Sequence, residues 1–135
     1  MKLTRAAEYG IRALMHLAHQ PVGKVCLLSD ISKAAEVPEK FLAKIMQELS
    51  HDGLVKSHRG IKGGFSLALA PGEITLKDVV ECLEGPIALN ICLTGDSECE
   101  RTGGCSVHRV WQRAQDELIS ILAGADLKTL SEAGK

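Results

Sequence analysis

The stretch from Ser29 to Leu69 constrains the fold of this chain more than any other. Ser29 and Asp30 open a short helix that reaches about Ala35, and the chain turns near Glu36. Pro38 then suits the first turn of a second helix, where a missing N–H costs nothing. Phe41, Leu42, Ile45, Met46 and Leu49 recur at helical spacing and form one stripe that must face a core. Gly53 is a natural helix stop, so the second helix is predicted over about 38–52. Leu54 to His58 reads as a strand, Arg59-Gly60-Ile61-Lys62-Gly63-Gly64 as a glycine-rich loop, and Phe65 to Leu69 as the alternating return strand. Two helices joined by a tight turn and followed at once by a hairpin give the layout of a winged helix-turn-helix.

The flanks are helical. Ala7, Ile11, Leu14 and Ala18 mark a first helix over 4–19, capped by Thr4 and ended by Gln20-Pro21-Val22-Gly23. Thr75 and Asp78 match a capping box ahead of a helix over 76–84, stopped by Gly85-Pro86. Ser106 opens a long helix to about 122, stopped by Gly124, and its apolar face is Val107, Val110, Trp111, Ala114, Leu118, Ile121 and Leu122. That is more apolar surface than a peripheral helix needs, so it is the natural dimerisation element, with packing inside its own subunit as the alternative. The tail from Ala125 is expected to be weakly structured, with one turn around Leu127-Leu130. The expected class is mainly α with a small β-hairpin. A winged helix-turn-helix domain (1–85) leads through a cysteine loop (86–105) to a dimerisation helix and tail (106–135), all in one compact unit. A chain of 135 residues suffices for one modest domain, and with aromatics at 3% the core must be aliphatic.

If the apolar stripe of the second helix faces inward, Glu39, Lys40, Ala43, Lys44, Gln47 and His51 face out. Lys40 and Lys44, four apart, share a face and can reach phosphates or guanine edges, and Gln47 can read a base edge. A plain solvated face carries the same residue types. Ser29, Pro38 and Glu39, at the starts of the two helices, complete that candidate contact set. In the hairpin loop Arg59 suits a narrow minor groove, and Lys62 adds a second charge. Lys2, Thr4 and Arg5 would add phosphate contacts from an N-terminal arm. Residues 1–65 carry ten Lys/Arg against six Asp/Glu, whereas residues 66–135 carry six against eleven, so the polyanion partner belongs to the first half. The combined pattern points to double-stranded DNA. One recognition helix reads too few bases, so a homodimer on a roughly palindromic operator is expected.

Five cysteines are present, three of them within fourteen residues. Cys92, Cys99, Cys105 and His108 follow the spacing C-x6-C-x5-C-x2-H. Structural zinc sites usually use tighter pairs, and wide spacing with three loop glycines suits a larger inorganic core such as an iron–sulfur cluster. A Cys3His zinc site and a thiol switch stay open on spacing alone. Cys26 and Cys82 sit in apolar settings and read as buried fillers. The fourth ligand is either His108, one helical turn after Cys105, or Glu8 of a partner subunit's first helix.

No apolar run is long enough to span a bilayer, and Met1-Lys2-Leu3-Thr4-Arg5 lacks the apolar stretch of a signal peptide, so a cytoplasmic protein without membrane contact is expected. There is no Ser/His/Asp set and no substrate-pocket signature, so an enzyme is not expected; a small cluster-bearing electron carrier would leave the hairpin unexplained.

The chain resembles the bacterial winged-helix regulators that include IscR, NsrR and RirA. Three stretches carry the likeness: Met1-Lys2-Leu3-Thr4, the loop Arg59-Gly60-Ile61-Lys62-Gly63-Gly64-Phe65-Ser66-Leu67, and the three-cysteine segment ending in Cys105-Ser106-Val107-His108-Arg109-Val110-Trp111. The resemblance implies a homodimer with crossed C-terminal helices and an iron–sulfur cluster, [2Fe–2S] or [4Fe–4S], on Cys92, Cys99 and Cys105. In the IscR type the fourth ligand matches His108, and in the NsrR type it matches the partner's Glu8. Most members repress, and cluster state changes which promoters are bound. Lys40, Ala43 and Lys44 depart from the IscR recognition helix, so that operator is not carried over.

Overall fold

The computed structural model describes residues 3–61, 63–89 and 106–133. Cys92, Cys99, Cys105, Lys2 and Lys62 lie outside the described residues.

Helix α1 (Arg5–His19) is capped as expected: Thr4 Oγ1 accepts from the Ala7 N–H at 3.2 Å. Its inner face is Ala7, Gly10, Ala13, Leu14 and Leu17. Helix α2 (Leu28–Ala35) begins one residue before Ser29, and no side chain caps it. It ends at Glu36, whose φ of 56° and ψ of 48° are left-handed. That conformation turns the chain sharply, at some cost for a residue with a Cβ. Pro38 stands at the N-cap of α3 (Glu39–His51), whose buried stripe is Leu42, Ile45, Met46 and Leu49. Strands β1 (Val55–His58) and β2 (Gly64–Leu67) pair antiparallel, with Val55 opposite Leu67 and His58 opposite Gly64. Cys26 extends the hairpin by one bridge, exchanging two 2.8 Å hydrogen bonds with Phe65. A 3-10 turn (Pro71–Glu73) leads to α4 (Leu76–Glu84), which carries the expected Thr75/Asp78 capping box. Helices α5 (Ser106–Ala123) and α6 (Leu127–Ala133) follow.

The core lies where α1, α2, α3 and α4 meet the hairpin. Leu14, Ile31, Leu42, Met46, Leu49, Ile74 and Val79 are fully buried there. Each such aliphatic side chain contributes about 1.5–3 kcal/mol of burial, which an aromatic-poor chain must gather from many small contacts. The result is a mainly helical winged helix with a two-stranded wing, the expected class.

Three expectations need correction. Phe41 is not a core residue; it is 51% exposed. Leu42, Ile45, Met46 and Leu49 already fill the inward arc, and Phe41 sits about 100° round the helix from Leu42. The tail is not weakly structured: Asp126 accepts from Thr129 N at 2.8 Å and from its hydroxyl at 2.9 Å, opening α6. Leu127 is fully buried, and α6 packs on α1 and the 3-10 turn. Cys82 is half-buried rather than buried, with its thiol donating to the Glu48 carbonyl at 3.6 Å.

Candidate nucleic-acid interface

The outward face of α3 forms as its stripe dictates. Lys40, Lys44, Gln47 and His51 are all exposed and fall within a single arc opposite the core. Glu39 and Pro38 are exposed at the helix start, while Ala43 and Ser29 are half-buried. Among the described residues neither Lys40, Lys44, Arg5 nor Arg59 pairs with a carboxylate; the ion pairs there are Arg12 with Glu8 and Lys77 with Glu81. The cationic face is therefore not neutralised from within, which suits a phosphate backbone.

The wing is shaped by backbone proximity. A Cβ on Gly64 would lie 2.1 Å from the Cys26 carbonyl oxygen, and one on Gly63 would lie 2.3 Å from the His58 carbonyl oxygen. Both obstacles are main chain, so these glycines let the wing close on its own backbone rather than on a partner. Gly60, at φ 103°, supplies the turn itself, and Gly63 N donates to its carbonyl at 3.0 Å. Arg59 is thereby presented, exposed, at the end of β1. Across the wing His58 Nε2 lies 2.8 Å from Ser66 Oγ, and Ser66 is buried.

The N-terminal arm joins this face. Arg5 opens α1 and Lys40 and Lys44 lie on α3, yet all three line one cleft between α1, α3 and α4. Thr4 is held twice: its hydroxyl caps α1, and its N–H donates to Glu84 Oε1 at 2.6 Å. Sequence reasoning missed that contact and a second one, Leu89 N donating to Gln115 Oε1 at 3.0 Å. Gln115 is the buried polar residue of α5. Its signal was an amide at the edge of an apolar stripe, a signal that Gln112 of the same helix dilutes. These two bonds fasten both the exit of α4 and the last described residue before the cysteine segment.

Of the expected metal ligands, His108 and Glu8 fall within the described residues. His108 is half-buried in the first turn of α5, and its Nδ1 is buried with no hydrogen-bond partner among the described residues. An unsatisfied buried ring nitrogen is costly unless something completes it, and a neutral imidazole nitrogen is a ready metal donor. Glu8 is exposed and bound to Arg12 at 2.7 Å. No group of three His, Cys, Asp or Glu able to hold a metal is assembled among the described residues. The thiols that are described are poor ligands. Burial raises the Cys26 pKa, and burial followed by hydrogen bonding and charge from Asp52 and Glu48 pushes the Cys82 pKa up to about 12.

The apolar stripe of α5, expected to serve dimerisation, is split. Leu118 and Leu122 are half-buried, facing Ile11, Leu76, Val80 and Leu89 of their own chain. Val107, Val110, Trp111, Ala114 and Ile121 are exposed.

A recognition helix with a free basic face, backed by a glycine-closed wing, defines a winged-helix transcription regulator. The chain belongs to the Rrf2 family: residues 3–133 match it, under the description iron-dependent transcriptional regulator. It is 32% identical over 132 residues to a helix-turn-helix-type transcriptional regulator of Aquifex aeolicus, covering 96% of this chain and 91% of that one. A regulator of the same type from Mycobacterium tuberculosis is 41% identical over 88 residues, covering 65% of this chain and 55% of the relative, so the match spans about half of that protein. Among solved structures, CymR, the global cysteine regulator of B. subtilis, superposes with a TM-score of 0.81 at 27% identity, covering 98% of both chains. IscR of T. potens superposes with a TM-score of 0.73 at 26% identity, covering 98% of this chain and 88% of its own. Relatives of this kind are regulators, not enzymes. Among the described residues no helix is long and apolar enough to cross a membrane.

Proposed function

We propose that this chain is a homodimeric repressor that binds an operator of two half-sites and senses iron–sulfur, redox or nitric oxide status. The sensor would be an iron–sulfur cluster on Cys92, Cys99, Cys105 and His108. One observation carries the cluster reading: the buried Nδ1 of His108, without a partner among the described residues and three residues past the third cysteine. Glu8 already has Arg12, so His108 is the better fourth ligand. The Rrf2 description as iron-dependent and the likeness to IscR support the same reading.

When bound, the cluster supplies an iron centre sensitive to oxidants and to diatomic ligands. The protein's own residues convert its presence into DNA affinity. Lys2, Arg5 and Lys62 hold phosphates; Lys40, Lys44 and Gln47 read the major groove; Arg59 enters the minor groove. Glu84 ties the exit of α4 to the root of the N-terminal arm, and Gln115 ties Leu89 to α5. Loss of the cluster from Cys92, Cys99, Cys105 and His108 would loosen both ties, shift α1 and α5, and change the spacing of two α3 helices. The exposed half of the α5 stripe supplies the face on which two copies meet.

Anaerobic purification with visible absorbance and native mass spectrometry tests the proposal. The expected result is a coloured dimer carrying iron and sulfide, lost in Cys105→Ser and weakened in His108→Ala but kept in Glu8→Gln. A colourless chain with stoichiometric zinc contradicts it.

A further inference from the structure

The cleft between α1, α3 and α4 has a volume of about 340 Å3, within the range of small-molecule sites. Its floor is aliphatic: Ala6, Ile45 and Leu83. Gly10 lets Leu83 pack close against α1, since a Cβ on it would lie 2.4 Å from Leu83 Cδ1. Its walls carry two aromatic rings, Tyr9 and Phe41. Phe41 is the residue that left the expected core stripe, and it lies off the Lys40–Gln47 arc, so neither packing nor DNA reading accounts for it. The rim carries three cations, Arg5, Lys40 and Lys44, against one carboxylate, Glu48. Lys40 Nζ stands 5.0 Å over the Phe41 ring, which keeps a positive charge at the mouth of an apolar hollow.

An apolar floor under a cationic rim fits a molecule with a hydrocarbon body and one anionic end. We infer that this cleft is a binding site for a small apolar carboxylate of about ten non-hydrogen atoms, the size set by a pocket at the small end of the ligand range. Its tail packs against Leu83, Ile45 and Phe41, and its carboxylate meets Lys44 and Arg5. Lys40 and Lys44 belong at once to this rim and to the DNA face of α3. The carboxylate would take Lys44 from the DNA groove and Arg5 from a phosphate, so the two ligands compete and by linkage each weakens the other. The competition rests on the proposed DNA reading; the binding site does not.

The test titrates octanoate into the full chain, below micelle formation, by calorimetry, with octan-1-ol as the uncharged control. Octanoate is expected to bind saturably and more tightly than octanol. Lys44→Gln should weaken octanoate about three- to fivefold, the loss of one exposed ion pair, and leave octanol unchanged. Phe41→Ser, at an exposed position that leaves the core intact, should weaken both. Non-saturable uptake, equal binding of octanol, or unchanged binding in Phe41→Ser overturns the site. In a second arm, octanoate should displace a fluorescent DNA duplex while acetate at equal ionic strength does not. Saturable octanoate binding with no displacement refutes the competition; a chain that binds octanoate but no duplex at all refutes the DNA reading instead.

Discussion

Helices α3 and α5 carry the same kind of apolar stripe and use it in opposite ways. In α3 the stripe is closed: Leu42, Met46 and Leu49 have no exposed surface and Ile45 has 5%. In α5 it is open: Val107, Val110 and Ile121 are 53%, 59% and 65% exposed, and Trp111 is 40% exposed. Periodicity says that a helix has an apolar face; it does not say whose surface covers it. The four α3 residues complete a core within one chain. Most of the α5 stripe has nothing to rest on among the described residues, and so many apolar side chains in a row mark a contact site. On the proposed reading that site is a second copy, so the helix that reads DNA is set by the chain's own core and the helix that spaces the two readers is set by association.

The contrast can be broken at each end. The largest effect is expected from Leu42→Ala, which should cost about 2–5 kcal/mol of unfolding free energy. Denaturant titration should show the same loss at every protein concentration. Trp111→Ala, on the open stripe, should cost about 2 kcal/mol of association, as interface tryptophans do. Sedimentation should find the dimer dissociating at higher concentration, with the monomer's denaturation midpoint unmoved. Asp126→Ala removes the cap of α6, which fastens the end of α5 to the core through Leu127 and Ser131, and should cost about 1 kcal/mol by thermal unfolding.

The smallest effect is a pH dependence inside the closed region. The unfolded Cys82 thiol ionises near 9.0, whereas burial and the Asp52 and Glu48 carboxylates push its folded value up to about 12. The native state resists an ionisation that the unfolded state accepts. Stability from this group is therefore full below pH 9 and falls as pH rises from 9 toward 12. Subtracting the profile of Cys82→Ala from that of the parent chain should isolate a shallow decline over that window. A flat difference would place the thiol in solvent.

Much of this architecture was legible in the residues. The turn near Glu36, the Thr4 and Thr75 caps, the wing and the start of α5 follow from local chemistry, and local chemistry is written in neighbouring positions. Misreadings came where tertiary geometry decides. Phe41 looked like a core residue because it adjoins a core stripe, yet four aliphatics already filled the arc. The tail looked loose because it is short and polar, but burial of Leu127 against α1 and the Asp126 cap order it. The sequence marks the wing glycines only as a loop, and what requires Gly64 and Gly63 is the closeness of the Cys26 and His58 carbonyls. Of the candidate DNA contacts, the α3 and Arg59 positions were readable as exposed cations. The meeting of Arg5 with Lys40 and Lys44 was not, because it depends on how α1 crosses α3.

The most direct test of the central claim is selection of binding sites from a random duplex pool with the anaerobically prepared chain, in parallel with Trp111→Ala. The parent chain is expected to enrich two half-sites related by a dyad and spaced about one helical turn apart. The variant should lose that spacing before it loses non-specific binding. Enrichment of a single unpaired half-site by the parent chain, or no enrichment at all, would contradict the account.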